Sequence, residues 1–417
     1  MKILAVGYAC SPAGGSEAGI GWDAVCRIAK HHDVWVLTDI RNHHAWEIGR
    51  AEGKIPNNVQ VRFLRKFSPW HKNRFIARIQ SWLNYWSFNR IVLDAATEWH
   101  REISFDLCHQ VTIAAWRMPS PLHQLPIPFL WGPIGGAGYI PPEFRGILSF
   151  GARQFERARD WQTAIALRSP SFHQCIGNTA VVFVANAETE ELLRPFRKDR
   201  PMLRLPSGSV SSEKFEAFRR PRNSALMEGP LRLFAGGNIE GRKGVSLALK
   251  ALALVKAAGV HFHYIVAGGG PEISSLRRLS QQLNLQEEVT FHPGFSGAGY
   301  IHALQQSDVY LLPSFRETTP VTLLEAYIAG CYPIVADTSA QGEIVRLVGG
   351  HAVPLTSMQG LIDGLAQAVI WGARHREELL PLTRAAADRI SDHFSSERFD
   401  ATMAHGYELA VRGLAEK

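Results

Sequence analysis

Two glutamates eight positions apart, Glu317 and Glu325, bracket the start of an apolar helix in the second half of the chain. The run 309–313 before them predicts a buried strand, and the run 321–329 predicts a helix. A carboxylate among apolar residues needs a bonding partner, and sugar hydroxyls would supply one. In the alternative interpretation, Glu317 only complements the positive end of the helix and Glu325 lies on an exposed face.

The turn between these glutamates predicts an anion site. Thr319 is suited to cap the helix, and Pro320 is suited to be its first residue. The amides of Val321, Thr322 and Leu323 would then lack helical partners and point out of the helix start. Free amides at the positive end of a helix dipole bind phosphate. The expected ligand therefore combines a phosphate with sugar hydroxyl groups.

A second anion site is predicted by the segment 236–244, which follows a predicted strand and opens a helix. Its glycines allow the backbone to approach a phosphate, and Arg242 and Lys243 can neutralise the phosphate charge. A glycine-rich turn with two solvated cations is the alternative interpretation.

Two weaker signals follow predicted strands in the first half of the chain. Gly14 and Gly15 turn the chain after the first strand, but the Gly-x-Gly-x-x-Gly spacing of a dinucleotide site is absent. His109 ends another strand, where a hydrogen-bonded core histidine is as good an interpretation as a catalytic one.

The segment around the two glutamates resembles the retaining family 4 glycosyltransferases, also described as glycosyl transferases group 1, which have the GT-B fold. The resemblance rests on a strand–loop–helix–strand unit that contains Pro313, Ser314, Glu317, Glu325, Ala326, Gly330 and the run 333–336. It implies that Glu317 lies near the donor sugar and that Glu325 binds the nucleotide ribose. The chain differs from many members at Thr318 and Thr319, where those members have glycines.

The resemblance also assigns the glycine-rich segments. Lys243 matches the lysine of the family's diphosphate loop. Arg242 takes the role of an arginine that many members carry where this chain has Asn238. Gly14 and Gly15 match a turn that approaches the donor diphosphate from the other domain.

Two further strand ends complete the implied site. His109 matches the first of two family histidines, and Val111 replaces the second. Pro293 and Gly294 match the strand end beside the nucleotide base. The residues expected to act in catalysis are Glu317, Lys243, Arg242 and His109. The residues expected to bind the donor are Gly14, Gly15, Arg242, Lys243, Pro293, Gly294, Glu317, Thr319, Val321, Thr322 and Glu325. No Asp-x-Asp, Cys-x-x-Cys or His-x-x-x-His spacing occurs, so neither a metal nor a cofactor is expected.

Strand-like and helix-like runs alternate along the chain, which predicts parallel sheets with crossover helices. A chain of 417 residues is long enough for two such domains. The expected fold is α/β, with two doubly wound Rossmann-like domains facing each other across a cleft. We expect an acceptor-side domain at 1–200 and a nucleotide-sugar domain at 201–384. The resemblance implies that a helical tail at 385–417 packs back on the first domain.

Composition excludes several classes of protein. Apolar residues make up 46% of the chain and charged residues 20%, as in ordinary globular proteins. No run of about eighteen apolar residues occurs, so no membrane-spanning helix is predicted. The five cysteines are odd in number and scattered, which is typical of a reducing compartment, and a cytoplasmic location is expected.

The net charge of +7 is unevenly placed, because the span 53–93 holds eight lysines and arginines and no acidic residue. Aromatic residues alternate with these cations. One stripe of a helix predicted over 72–100 contains Phe75, Ile79, Trp82, Trp86 and Asn89. We expect residues 62–90 to bind an anionic membrane surface, at the inner face of the membrane. The alternative is that the stripe packs on the protein's own sheet.

The expected reaction is a metal-independent transfer of a sugar, with retention of configuration, from a nucleotide diphosphate sugar to a hydroxyl acceptor. The acceptor would be a carbohydrate or a lipid-linked molecule in bacterial surface polysaccharide or glycolipid assembly. A sugar-nucleotide epimerase of the same fold would have no use for a basic aromatic surface. A non-catalytic nucleic-acid-binding protein needs stacking aromatics on a sheet or loop, whereas these fall on a predicted helix, so no nucleic acid partner is expected.

Overall fold

The computed structural model describes residues 1–12, 16–65, 74–113, 115–219, 229–295 and 297–415, and for residues 16, 74–82, 414 and 415 the backbone alone. The chain forms two compact units. Unit 1 comprises 1–137, 161–207 and 399–417, and unit 2 comprises 138–160 and 208–398. These bounds differ from the expected domains in three places. Residues 138–160 belong to the second unit, residues 201–207 belong to the first, and the chain returns to the first unit at 399 rather than at 385.

Unit 1 is built on a seven-stranded parallel sheet with the order β3-β2-β1-β4-β5-β6-β7. Its strands are β1 (Lys2–Gly7), β2 (Asp33–Asp39), β3 (Val59–Leu64), β4 (Leu107–Thr112), β5 (Phe129–Ile134), β6 (Val181–Val184) and β7 (Met202–Arg204). The central strands are buried along their whole length, because helices cover both faces of a parallel sheet. The alternating runs of the sequence predict the first six strands, whereas β7 has only three residues and gives no pattern.

Six α-helices accompany these strands, namely α1 (Ser16–Ala29), α2 (His43–Ala51), α3 (Arg74–Ile103), α4 (Phe150–Ala166), α5 (Pro170–Asn178) and α6 (Ala187–Arg197). Short 3₁₀ turns lie at Ile40–Asn42 and Pro121–Gln124, and a third, at Pro142–Ile147, belongs to unit 2. The first ten or so residues of α4 belong to unit 2 by the division given above.

The long helix α3 packs inward with a different stripe from the aromatic one that the sequence predicts to meet a membrane surface. Its inward-facing residues are Tyr85, Phe88, Val92, Ala96 and Trp99. Of the predicted stripe, the side chains of Phe75, Ile79 and Trp82 lie outside the described part of the chain. Trp86 is exposed and Asn89 is only partly buried. Packing on the sheet therefore uses a neighbouring face of this helix.

Unit 2 contains a six-stranded parallel sheet with the order β10-β9-β8-β11-β12-β13. Its strands are β8 (Leu231–Gly236), β9 (Phe262–Ala267), β10 (Val289–His292), β11 (Val309–Leu311), β12 (Tyr332–Ala336) and β13 (His351–Val353). Its helices are α7 (Ser212–Phe218), α8 (Val245–Ala257), α9 (Ile273–Gln282), α10 (Gly297–Gln305), α11 (Val321–Ile328), α12 (Ser339–Val348), α13 (Met358–Arg374) and α14 (Arg376–Phe394), with a 3₁₀ turn at Gly241–Lys243. The expectation of two doubly wound parallel sheets is confirmed.

The last helix, α15 (Ser396–Ala415), carries the chain back to unit 1. Its inward residues, Phe399, Met403, Tyr407 and Ala410, recur at helical spacing and join the core of unit 1. Arg27 of α1 donates to Asp400 at 2.8 Å. The expected return of the tail is therefore confirmed. It starts later than expected because α14 packs on α11 of unit 2 and the chain turns only at Ser395.

No helix in the described part of the chain is long and apolar enough to cross a membrane. All five cysteines are free thiols.

Candidate active site

Three of the residues predicted in the second half, Arg242, Lys243 and Glu317, meet at the carboxyl ends of neighbouring strands in unit 2. Strands β8 and β11 lie side by side in the sheet. The loop after β8 carries Arg242 and Lys243, and the loop after β11 carries Glu317. Because parallel strands end at the same edge, the two loops touch, although about seventy residues separate them.

The centre of this site is an ion pair between Lys243 and Glu317. The distance from Lys243 Nζ to Glu317 Oε1 is 2.5 Å, and the two side chains are only 9% and 11% exposed. Arg242 Nη1 lies 3.5 Å from the same carboxylate oxygen. Burial by itself would raise the pKa of Glu317, but the charges of Lys243 and Arg242 bring it below its usual value. The carboxylate therefore stays ionised, and two cations face it.

Arg242 also joins the two loops. Its Nε donates to Glu240 at 2.9 Å, and its Nη1 donates to the carbonyl of Arg316 at 2.7 Å. Its own carbonyl accepts from the amide of Phe315 at 2.8 Å. The guanidinium is thus fixed by both loops, which places it beside Glu317.

Glycine is required where these loops cross. Gly244 has φ +67°, and a Cβ there would lie 2.2 Å from the carbonyl oxygen of Pro313. The loop after β9 contributes Gly268 and Gly270, where a Cβ would lie within 2.1 Å of backbone oxygens of the loop after β8. The sequence analysis missed this second glycine loop, although the run Gly268-Gly269-Gly270 after a predicted strand is a visible signal.

Helix α11 starts one residue later than the sequence predicts. Pro320, rather than Thr319, occupies the capping position, and the helix begins at Val321. The amide of Val321 donates to the carbonyl of Thr319 at 2.9 Å, and that of Leu323 donates to Pro320 at 2.9 Å. Two of the three amides expected to be free are therefore used inside the turn. Only the Thr322 amide has no backbone acceptor among the residues that the structure describes.

Glu325 lies in the second turn of α11 and is 8% exposed. Lys214 Nζ of α7 lies 2.6 Å from its Oε1, and the Tyr300 hydroxyl of α10 donates to its Oε2 at 2.8 Å. Burial, together with the Glu325 charge, raises the pKa of Tyr300, which keeps its hydroxyl protonated as a donor. Neither partner was predicted, because each comes from a helix that has no motif.

Ser339 holds the backbone of Glu317 from the start of α12. Its Oγ accepts from the Glu317 amide at 2.9 Å and donates to the Glu317 carbonyl at 2.6 Å. The residue has φ +58°, which is uncommon for a residue other than glycine and occurs often at functional sites. A single serine after a strand gives no signal in the sequence.

A segment from the first half of the chain, 138–160, supports the site from within unit 2. Glu156 of α4 accepts from Arg316 at 2.7 Å, and both side chains are largely buried. Phe144 packs on Phe315, with ring centroids 5.3 Å apart. These contacts hold the residues that come directly before Glu317.

Two predicted residues lie at the end of the edge strand β10. Pro293 and Gly294 are exposed, and Gly294 has φ +133°. The rings of His292 and Phe295 stack with centroids 3.8 Å apart and planes 7° apart. The turn thus presents an aromatic pair beside exposed backbone groups.

Of the residues predicted in the first half of the chain, only His109 lies among the described residues. Gly14 and Gly15 lie outside the described residues. His109 lies in the core of unit 1 and is 1% exposed. Its Nδ1 bonds to the Tyr407 hydroxyl and its Nε2 to the carbonyl of Gly132, both at 2.8 Å. Burial lowers the pKa of His109 to about 4. This position favours the interpretation of His109 as a hydrogen-bonded core histidine, because both ring nitrogens already have partners.

Within the described residues, no three His, Cys, Asp or Glu side chains are grouped so that they could hold a metal.

Comparison with known proteins assigns unit 2. The family profile described as glycosyl transferases group 1 matches residues 218–376, which make up most of this unit. Residues 218–376 are therefore similar to the glycosyl transferases of group 1. The match includes Arg242, Lys243, Glu317 and Glu325.

Curated relatives match this chain only in part. WcaL of Escherichia coli (strain K12), named for colanic acid biosynthesis, is 29% identical over 53% of this chain and 59% of its own length. The amylovoran biosynthesis glycosyltransferase AmsK of Erwinia amylovora is 26% identical over 48% of this chain and 47% of its own. The chain thus spans about half the length of the curated relatives that it matches.

Solved structures match the whole chain. Sucrose-phosphate synthase from Thermosynechococcus elongatus has a TM-score of 0.66 at 16% identity and 100% coverage of both chains. HepE of Anabaena, solved in complex with UDP, has a TM-score of 0.64 at 14% identity, covering 98% of this chain and 100% of its own. At such identities the likeness shows the fold alone, which is the GT-B fold of two Rossmann-like domains.

Proposed function

We propose that the protein is a retaining, metal-independent glycosyltransferase that uses a nucleotide diphosphate sugar as donor and a hydroxyl as acceptor. The observation that carries the proposal is the buried pair of Lys243 and Glu317 with Arg242 beside it. Cations fixed at the carboxyl ends of parallel strands suit a diphosphate, and the neighbouring carboxylate suits sugar hydroxyls.

The reaction breaks the bond between the sugar C1 and the diphosphate oxygen and forms a bond from C1 to the acceptor oxygen. Lys243 and Arg242 stabilise the negative charge that develops on the leaving diphosphate. The acceptor hydroxyl gives its proton to the departing oxygen on the same face of the sugar. This same-face route agrees with the state of Glu317, whose carboxylate is bonded to Lys243 and so poorly suited to attack C1.

The acceptor we propose is a carbohydrate or lipid-linked molecule in surface polysaccharide or glycolipid assembly. WcaL, named for colanic acid biosynthesis, and AmsK, named for amylovoran biosynthesis, support this class. The basic and aromatic span 62–90 supports a membrane surface as the place of action, and the five free cysteines support a reducing compartment.

Thermal shift with a panel of UDP-, GDP-, ADP- and dTDP-sugars tests the donor class. A ligand at a hundred times its dissociation constant adds about 2.7 kcal/mol of stability to a folded protein. We expect one nucleotide to stabilise the protein and the others to do so much less. A panel without any stabilising member would contradict the proposal. Conversion of the sugar nucleotide to its epimer, without transfer, would favour an epimerase instead.

Metal independence has its own test. Because Lys243 and Arg242 supply the positive charge at the diphosphate, turnover should be the same in excess chelator as in magnesium or manganese. Activity lost in chelator and restored by either ion would show that a metal is required.

A further inference from the structure

The carboxylate expected to bind the nucleotide ribose already has two protein donors. Lys214 lies 2.6 Å from Oε1 of Glu325, and Tyr300 donates to Oε2 at 2.8 Å. A resemblance to family members supplies the glutamate but says nothing of this lysine. The role of Lys214 therefore has to be inferred from its own contacts.

The lysine is held in place by its helix. Lys214 lies in the first turn of α7, where its amide donates to Ser211 Oγ at 3.1 Å. Its ammonium also lies 5.7 Å from the ring centroid of Phe218. Helix α7 packs on α10 and α11, the helices that carry Tyr300 and Glu325. The three groups thus come together through helix packing, at fixed positions.

The lysine remains open to a ligand. Its side chain is 30% exposed, whereas that of Glu325 is 11% exposed. An ammonium has three N–H donors, and apart from the bond to Glu325 the others have no acceptor among the described residues. The carboxylate oxygens can each accept a second hydrogen bond.

An N–H donor and a carboxylate acceptor 2.6 Å apart match the needs of a vicinal diol. Each hydroxyl of a diol both donates and accepts, so a carboxylate alone satisfies only half of its hydrogen-bonding capacity. An ammonium beside the carboxylate satisfies the other half. Tyr300 does not compete for this role, because its hydroxyl already donates to the opposite oxygen.

We propose that Lys214 is a further donor-binding residue, which donates a hydrogen bond to a ribose hydroxyl while that diol donates to Glu325. The two residues would together select ribonucleotides over their deoxy forms. This inference rests on the proposed function, in which Glu325 faces the nucleotide ribose.

The test is nucleotide binding by calorimetry to the full chain. UDP, GDP and ADP identify the nucleotide that the wild type binds, and its 2′-deoxy and 3′-deoxy forms follow. We expect Lys214→Met to weaken binding of the ribonucleotide roughly tenfold or more, as for a lost charged hydrogen bond. At least one deoxy form should be affected much less.

Lys256→Met is the matched control. Lys256 forms an ion pair with Glu288 at the same 2.6 Å, also in unit 2, at the far end of α8. Its replacement should leave nucleotide binding unchanged. Lys214→Gln is the second variant, in case the apolar substitution lowers the melting temperature so far that binding cannot be measured.

A double-mutant cycle with Glu325→Gln separates direct contact from an indirect effect. If Lys214 touches the ribose, its replacement still reduces the preference for the ribonucleotide when residue 325 is already glutamine. If the effect disappears in that background, Lys214 acts only through Glu325 and the inference is overturned.

The remaining outcomes are equally decisive. Unchanged binding in Lys214→Met, or equal losses for the ribo and deoxy forms, overturns the role of Lys214 but leaves the proposed function standing. A wild-type protein that binds none of the three nucleotides contradicts the proposed function itself, and the inference falls with it.

Discussion

At the scale of single residues, the ionised state of Glu317 depends on the cations beside it. Its side chain is mostly buried, and its charge is balanced by Lys243 and Arg242. Removing one partner of a buried ion pair leaves the other charge uncompensated, which destabilises a protein by about 3–5 kcal/mol. In a Glu317→Ala variant, a loss of sugar transfer could therefore not be separated from a loss of folding stability.

Glu317→Gln is the cleaner change. The amide keeps the shape and an oxygen acceptor for Lys243, while the negative charge is lost. We expect sugar transfer to fall at least tens-fold, because a charged hydrogen bond contributes about 1.5–3 kcal/mol. Steady-state kinetics and a melting curve measure both effects. Turnover equal to that of the wild type would refute the assignment of Glu317.

His109 permits a prediction about pH. Burial lowers the pKa of His109 from 6.5 to about 4. Between these two pH values the histidine is protonated in the unfolded chain but neutral in the folded chain. The contribution of neutral His109 to the free energy of unfolding is fully present above about pH 6.5 and is lost as the pH falls towards 4. The full effect is about 3 kcal/mol.

Urea unfolding between pH 7 and pH 4 measures this effect against His109→Gln. Glutamine can still bond to Tyr407 and Gly132 but does not take up a proton. As the pH falls, the free energy of unfolding of the wild type should therefore decrease relative to that of the variant. A difference that stays constant over this range would contradict the buried, neutral histidine.

The sequence predicts the residues of the site only where a motif marks them. Lys243 and Glu317 each follow a strand in a recognisable loop, and strand order then brings the loops together. Lys214, Tyr300 and Ser339 act through contacts between helices and loops distant in the sequence. No local pattern of residue types encodes such contacts, so sequence reasoning could not find them.

At the scale of elements, helix α8 is flanked by two glycines with similar backbone angles. Gly244 has φ +67° at its start, and Gly259 has φ +77° beyond its end. A Cβ at Gly244 would meet the carbonyl oxygen of Pro313 at 2.2 Å, whereas nothing lies within 4 Å of one at Gly259. The pair separates the effect of backbone conformation from the effect of contact.

Both Gly→Ala variants should lose about 1 kcal/mol through the left-handed conformation. Gly244→Ala should lose more, and it should also weaken nucleotide binding, because the shifted turn carries Arg242 and Lys243. Urea unfolding and nucleotide titration give the two readings. Equal losses of stability with unchanged binding would show that the contact with Pro313 does not position the loop.

Element boundaries show where local reasoning ends. The capping residue of α11 is Pro320 and not the predicted Thr319, because the turn uses the carbonyls of Thr319 and Pro320 as acceptors. The chain returns to unit 1 at 399, whereas the expected position was 385, because α14 packs on α11 of unit 2. Both shifts depend on the surrounding structure, while the existence and type of each element follow from the pattern of apolar residues.

At the scale of the whole molecule, the alternation of strands and helices was enough to predict two parallel sheets. The placement of 138–160 in unit 2 was not predictable, since this segment lies between strands of unit 1 in the sequence. Its anchors, Phe144 and Glu156, have partners near residue 316 that only the folded chain brings close.

The membrane surface remains a prediction, and the described part of α3 now gives it particular residues. Leu83 and Trp86 are 50% and 49% exposed, and the guanidinium of Arg90 lies 3.8 Å from the centroid of the Trp86 ring. These three residues recur at helical spacing on the face opposite Tyr85 and Phe88, which pack inward. An exposed apolar face with basic residues suits an anionic bilayer, where each cation contributes about 1 kcal/mol.

Liposome flotation tests this surface. We expect the wild type to float with vesicles rich in phosphatidylglycerol at low salt, and to bind neutral vesicles far less. Leu83→Glu should abolish binding, because it adds a negative charge to the face that meets the bilayer. Leu347→Glu is the matched control, since Leu347 is 51% exposed on helix α12 of unit 2. Equal losses in both variants would indicate a general effect of charge, and no flotation of the wild type would rule out the membrane surface.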